Sequence, residues 1–166
     1  MSDIITWNEF FMNVAMLAAR RSKDPHTKVG ACIVDSGKNI RSIGYNGMPT
    51  RCSEGDMSWS RDVNDTENKY KYIIHAELNA ILHARTDIRE CEIFTTLFPC
   101  NDCAKAIVQS GIAKVIYLNE FSSGSQFYDN SCYTKNSKDI FDSARVHYEA
   151  FSGVIVSADI LTETGK

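Results

Sequence analysis

An α/β fold, one mixed sheet covered by helices on both faces, is what the order of elements along this chain predicts. A helical apolar repeat comes first and a short hairpin follows it. After the hairpin, strand-like runs alternate with helical ones. Composition agrees: of 166 residues, 43% are hydrophobic and 23% charged. That is enough to bury a core in a single domain spanning 1–166, and it is unlike a disordered chain. No internal repeat or low-complexity tract interrupts it.

Each element has its own signal. Trp7, Phe10, Phe11, Val14, Leu17 and Ala18 recur at helical spacing and predict an amphipathic helix ending near Arg20 and Arg21, broken by Lys23-Asp24-Pro25. Residues 29–34 (VGACIV) read as a buried strand, 35–39 as a hairpin turn and 40–45 as its return strand. Asn46-Gly47-Met48-Pro49 then turns the chain. The polar stretch 50–71 is long for a loop, and loops of that length in a compact domain tend to be functional. Residues 75–85 predict a helix, 91–96 a strand, 100–110 a helix closed by Gly111, and 115–118 a short buried strand. After a second polar loop, 119–137, the pattern predicts a last helix over 140–151 and a last strand over 154–157.

Several function classes are disfavoured. A formal net charge of -3 argues against a nucleic-acid polymer as partner, since its readers carry a basic face. No window approaches 18 consecutive apolar residues, so no membrane span is expected, and the first residues lack the pattern of a secretory signal. Six cysteines could form three disulfides, but Cys100 and Cys103 have metal-ligand spacing; the reading is a cytoplasmic protein with reduced thiols. Cys32, in a buried strand, reads as a small core hydrophobe.

The chemistry concentrates in His75-Ala76-Glu77 and Pro99-Cys100-Asn101-Asp102-Cys103. Zinc favours sulfur and imidazole ligands in a tetrahedral shell. Cys100 and Cys103, three residues apart at the start of a helix, present both sulfurs on one face, and the helix N-terminus favours thiolates. His75, opening its own helix, supplies a third ligand. Three protein ligands leave a corner for water, whose pKa bound zinc lowers to about 7. Glu77, two residues from a ligand, is assigned proton transfer and not coordination. Other readings exist: a lone Cys-x-x-Cys is also a redox pair, or half a structural zinc site completed by Cys91 or His83. The order His-x-Glu then Pro-Cys-x-x-Cys, however, is the signature of zinc-dependent base deaminases.

Longer segments narrow the resemblance. The runs 20–25 (RRSKDP), 29–34 (VGACIV), 44–49 (GYNGMP), 75–81 (HAELNAI) and 97–105 (LFPCNDCAK) resemble the deoxycytidylate deaminase family, from about Trp7 to Gly153. The resemblance implies a three-layer αβα, cytidine-deaminase-like fold with a five-stranded mixed sheet. It implies hydrolysis of dCMP to dUMP and ammonia, feeding thymidylate synthesis, with deamination of dCTP as an alternative. It also implies a homo-oligomer, a hexamer foremost, regulated by dCTP and dTTP, with Mg2+ accompanying the triphosphate effector near Gly44–Gly47 and the loop after it. A nucleotide-binding protein with purely structural zinc is the non-enzymatic rival.

The resemblance also assigns the pocket. Asn46 contacts sugar and ring in deaminases of this fold, although an asparagine before glycine is also favoured simply as a turn residue. The backbone N–H of Ala76 reaches the ring carbonyl. His26 stands where some members place a phosphate-binding arginine, with Lys28 as a second cation; both also fit solvated loop positions. Tyr133, in the polar loop where the chain departs most from the family pattern, covers the phosphate side. Relatives with a second, structural zinc use cysteine pairs absent after Gly47, so one catalytic zinc is expected. His83 reads as a surface residue, and His147 as a last-helix residue without an evident partner.

Overall fold

A computed structural model of the chain describes residues 4–52, 57–62, 64–120 and 130–156, with side chains from residue 134 in the last segment. The elements are α1 (Trp7–Ala19), β1 (Gly30–Val34), β2 (Ile40–Tyr45), a 3-10 turn at Lys69–Lys71, α2 (Ala76–His83), β3 (Glu92–Leu97), α3 (Asn101–Gln109), β4 (Lys114–Asn119), α4 (Asn130–Ala144) and β5 (His147–Ala150). The strands form one sheet in the order β2-β1-β3-β4-β5. Pairing is antiparallel from β2 through β1 to β3, and parallel from β3 through β4 to β5. This is the predicted five-stranded mixed sheet between helices.

Side-chain alternation decides the layers. Cys32 and Val34 of β1, Phe94 of β3 and Ile116 of β4 point to one face and pack on Phe11, Met12 and Ala15 of α1. Ala31 and Ile33, Ile93, and Val115 and Tyr117 point to the other, against Ala76 and Ala80 of α2, Ala104 and Ile107 of α3 and Phe141 of α4. Phe98, just beyond β3, meets Tyr117, Phe141 and Tyr148 with ring centroids 4.7, 6.1 and 5.9 Å away. That aromatic cluster fixes the backbone two residues before Cys100.

Two glycines set how near the helices come. A Cβ on Gly30 would overlap Ala15 O and Ala19 N of α1, and one on Gly44 would overlap Ala76 O and Ala80 N of α2. Backbone therefore rides on backbone on both faces of the hairpin. This changes the expected face of α1. Its buried positions are Phe11, Met12, Ala15, Ala18 and Ala19, whereas Trp7, Phe10 and Leu17 are 56%, 40% and 69% exposed. Small residues win the interface because β1 presents only a hydrogen there.

The C-terminal third departs from the expectation. The predicted helix 140–151 is the end of α4 followed by β5, and the predicted loop 119–137 already contains the start of α4 from Asn130. Arg145 ends the helix with φ +58°. Its N–H donates to Asp142 O and that of Val146 to Phe141 O, the pair of bonds that defines a Schellman cap. Glycine usually takes that left-handed position; with arginine there, no stop signal is visible in the sequence. His147, placed in a helix by the reading, opens β5 and pairs with Glu149 at 3.1 Å. Residues 154–156 form no strand. They run along α1, where Glu9 accepts from Val154 N, and Asn13 donates to Val154 O and accepts from Val156 N. Among the described residues no helix is long and apolar enough to cross a membrane.

A Gly44→Ala substitution is expected to destabilise by about 1–3 kcal/mol, the usual cost of overpacking. Denaturant melts measure it; an unchanged midpoint would contradict the close approach of α2 to β2.

Candidate metal centre and active site

His75 is the N-cap of α2 and Cys100 the N-cap of α3. Neither residue belongs to the preferred N-cap set of Ser, Thr, Asp and Asn, and neither side chain caps its own helix. They turn to each other instead, with Cys100 Sγ 3.3 Å from His75 Nδ1. Cys103, one turn into α3, brings its sulfur within 3.5 Å of the same nitrogen. The three donor atoms lie within 4.8 Å of one another. Zn–S bonds of about 2.3 Å and Zn–N of about 2.0–2.1 Å in a tetrahedron put sulfur and nitrogen roughly 3.5 Å apart. The cluster has the spacing and the chemistry that a zinc ion requires.

Glu77 is 4% exposed, and its Oε2 accepts from the Cys103 thiol at 3.6 Å. Burial is the main force on it and raises its pKa, although the nearby His75 charge opposes the shift. The ligands polarise one another. A hydrogen bond from Cys103, helped by His75, draws the Cys100 thiol down. Its hydrogen bond to Cys100 draws His75 up. The hydrogen bond to Cys100 and burial push Cys103 up. Cys32 is held up at about 12 by burial alone, as a core thiol should be.

Of the pocket residues expected from the sequence, Ala76 is fully buried at the first position of α2, where helix N–H groups lack intrahelical partners. Asn46 is 5% exposed at the end of β2. Its Oδ1 accepts from Val29 N at 2.8 Å, and its Nδ2 donates to Thr27 O at 2.8 Å and Asp24 Oδ2 at 3.3 Å. It therefore ties the turn entering β1 to the end of β2. His26 and Lys28 sit exposed on that turn, outside the metal cluster. Tyr133 belongs to α4, and its side chain lies outside the described residues.

Two neighbouring residues escaped the sequence reading. Asp24 is 0% and Lys69 3% exposed, and Lys69 Nζ donates to Asp24 Oδ2 at 2.6 Å. Asp24 read only as a helix breaker and Lys69 as part of a polar loop. A pairing 45 residues apart leaves no local signal. Burial pushes the Asp24 carboxyl up, but Lys69 and the backbone N–H groups of His26 and Thr27 outweigh it and leave its pKa lowered.

Fold and site together define an α/β protein with a three-donor cluster fit for a metal ion beside a buried carboxyl group. Residues 5–119 match the family model of the cytidine and deoxycytidylate deaminase zinc-binding region. The chain belongs to the cytidine and deoxycytidylate deaminase family. The deoxycytidylate deaminase of Pongo abelii is 46% identical over 151 residues, 90% of this chain and 82% of its own. That of Homo sapiens is 51% identical over 120 residues, covering 71% and 67%. Among solved structures, the dCMP deaminase of cyanophage S-TIM5 in complex with dCMP and dUMP aligns with TM-score 0.65 at 29% identity, over 86% of this chain and 95% of that one.

The lowered Asp24 pKa has a definite sign. Its stabilisation is complete above the unfolded carboxylate value of about 3.9 and is lost as pH falls through the lower folded value. The melting-temperature deficit of Asp24→Asn is expected to stay constant from pH 8 to 5 and to shrink below about pH 4. Thermal melts across that range check it; a deficit that grows on acidification contradicts it.

Proposed function

We propose that this chain is a zinc-dependent hydrolase that converts dCMP to dUMP and ammonia, supplying dUMP for thymidylate synthesis. The observation that carries the reading is the His75–Cys100–Cys103 cluster with the Glu77 carboxyl against it. Three ligands leave a tetrahedral corner open, as catalytic zinc sites do. Zinc held there supplies water made acidic enough to attack near neutral pH. The choice of dCMP is supported by the relatives named deoxycytidylate deaminase and by the phage enzyme solved with dCMP and dUMP.

The residues divide the work by position. Glu77 takes a proton from the attacking water and delivers it to ring N3, then takes the proton of the newly added hydroxyl and passes it to the amine, which departs as ammonia while the new carbonyl forms. A buried carboxyl with a raised pKa both accepts and returns a proton more readily near neutrality than an ordinary glutamate. The Ala76 N–H, at the positive end of α2, receives the ring carbonyl. Asn46 lines the sugar side, with one acceptor lone pair left by the contacts above. His26, Lys28 and Tyr133 form the phosphate end.

Regulation by dCTP and dTTP, with Mg2+, is part of this reading, and one cavity is proposed for it. A cavity of about 160 Å³ beyond β2 is lined by Arg21, Lys23, Tyr45, Gly47, Met48 and Trp59. Its lining combines basic and aromatic side chains. A homo-oligomer fits the exposed apolar side chains of α1, Trp7, Phe10 and Leu17.

Two outcomes follow for the enzyme. Zinc-loaded protein given dCMP, dCTP, CMP, deoxycytidine or transfer RNA should release ammonia most readily from dCMP; release from transfer RNA alone would overturn the substrate assignment. Glu77→Gln should retain stoichiometric zinc and the wild-type circular dichroism spectrum while kcat falls by about 10²–10⁴-fold. Equal rates in the two proteins would refute the proton-transfer role of Glu77, whereas zinc-loaded wild type without turnover would favour a nucleotide-binding protein with purely structural zinc.

A further inference from the structure

The pair Asp24–Lys69 takes no part in the chemistry above, yet both charges are buried, at 0% and 3% exposure. Buried ion pairs are poor sources of stability, because desolvation offsets much of their attraction. The surroundings of this one indicate what else it does. Asp24 Oδ1 accepts from His26 N at 2.8 Å and Thr27 N at 3.2 Å. Asp24 Oδ2 accepts from Lys69 Nζ at 2.6 Å and Asn46 Nδ2 at 3.3 Å. One carboxylate thus organises the turn carrying His26 and Lys28 with one oxygen and orients the Asn46 amide with the other. Ser22 Oγ, which donates to Asn46 O at 2.8 Å, also accepts from Asp24 N at 3.3 Å and closes the ring of contacts.

Lys69 connects this ring to the metal centre. Its N–H donates to Ser60 O, its carbonyl accepts from Tyr72 N and Ile73 N, and Ile74 then bridges to Gly47 in both directions immediately before His75. On the other side, the turn enters β1 at Gly30, whose N–H donates to Thr96 Oγ1 at 3.1 Å on the strand leading to Cys100. Three segments distant in sequence, 22–29, 46–47 and 64–74, are therefore joined around one ammonium–carboxylate contact.

We propose that Lys69 is a positioning residue for the substrate. Through Asp24 it holds the Asn46 amide and the turn 24–29 in the geometry that receives the sugar and phosphate of the nucleotide. The inference rests on the dCMP reading and deepens it: the buried pair governs how the nucleotide's sugar–phosphate half is held, while the zinc cluster and Glu77 govern the chemistry. An aspartate alone would satisfy the two backbone donors of the turn. The ammonium keeps that aspartate ionised, so that both of its oxygens remain acceptors and Asn46 has only one orientation that fits.

Steady-state kinetics on zinc-loaded Lys69→Met with dCMP tests this. KM is expected to rise tenfold or more, kcat to change far less, and zinc content to stay at the wild-type value. A purely structural role would lower the melting temperature and leave the KM of the folded enzyme unchanged, which overturns the inference. Because Lys69→Met alone leaves a buried carboxylate unpaired and risks not folding, the double variant Asp24→Asn/Lys69→Met, which buries no charge, is measured beside it. An asparagine at 24 still accepts from His26 N and Thr27 N, but it opposes its own NH2 to that of Asn46. KM should therefore remain raised in the double variant, and a wild-type KM there overturns the inference. Wild-type protein inert toward dCMP overturns the functional reading and the inference with it. Active wild type with unaltered KM in the folded variants overturns the inference alone.

Discussion

The backbone of α2 lies directly on β2 at Gly44, and the rest of the site depends on that approach. A hydrogen is all that fits between Gly44 and the Ala76 and Ala80 backbone. Held so close, α2 begins beside the end of the hairpin, and its N-cap histidine faces the N-cap cysteine of α3. α3 starts where it does because β3 ends at Leu97 and the buried ring of Phe98, packed against Tyr117, Phe141 and Tyr148, fixes the turn that follows. Rigid elements thus set the donor separations, as a precise metal site requires.

Electrostatics in the cluster follows from the same placement. Two helix N-termini converge on it, and each favours negative charge at its end. A thiolate at Cys100 suits that field, and a buried carboxyl at Glu77 is kept from ionising easily by its lack of water. A cation with a preference for sulfur and imidazole matches this donor set. The surroundings of the core thiol Cys32, by contrast, simply suppress ionisation.

The surroundings of Asn46 are built differently. Where the His75–Cys100–Cys103 cluster rests on helix ends and close packing, the turn 24–29 and residues 64–74 have little regular structure. Polar contacts converging on Asp24 stand in for it, supplying the ladder of bonds that loops otherwise lack.

Local patterns in the sequence were sufficient for the first four strands, the order of the helices and the four residues of the candidate cluster. The reason is that strand alternation, helix periodicity and the spacings His-x-Glu and Cys-x-x-Cys are all short-range. Tertiary structure alone decided three things. It chose the small-residue face of α1, because Gly30 of a distant strand admits backbone there. It ended α4 at an arginine in the left-handed conformation, a cap made by hydrogen bonds and not by residue type, and so turned an expected helix end into β5. It brought Asp24 to Lys69 and Asn46, since a buried charge selects its partner by proximity after folding and leaves no periodic trace in the chain.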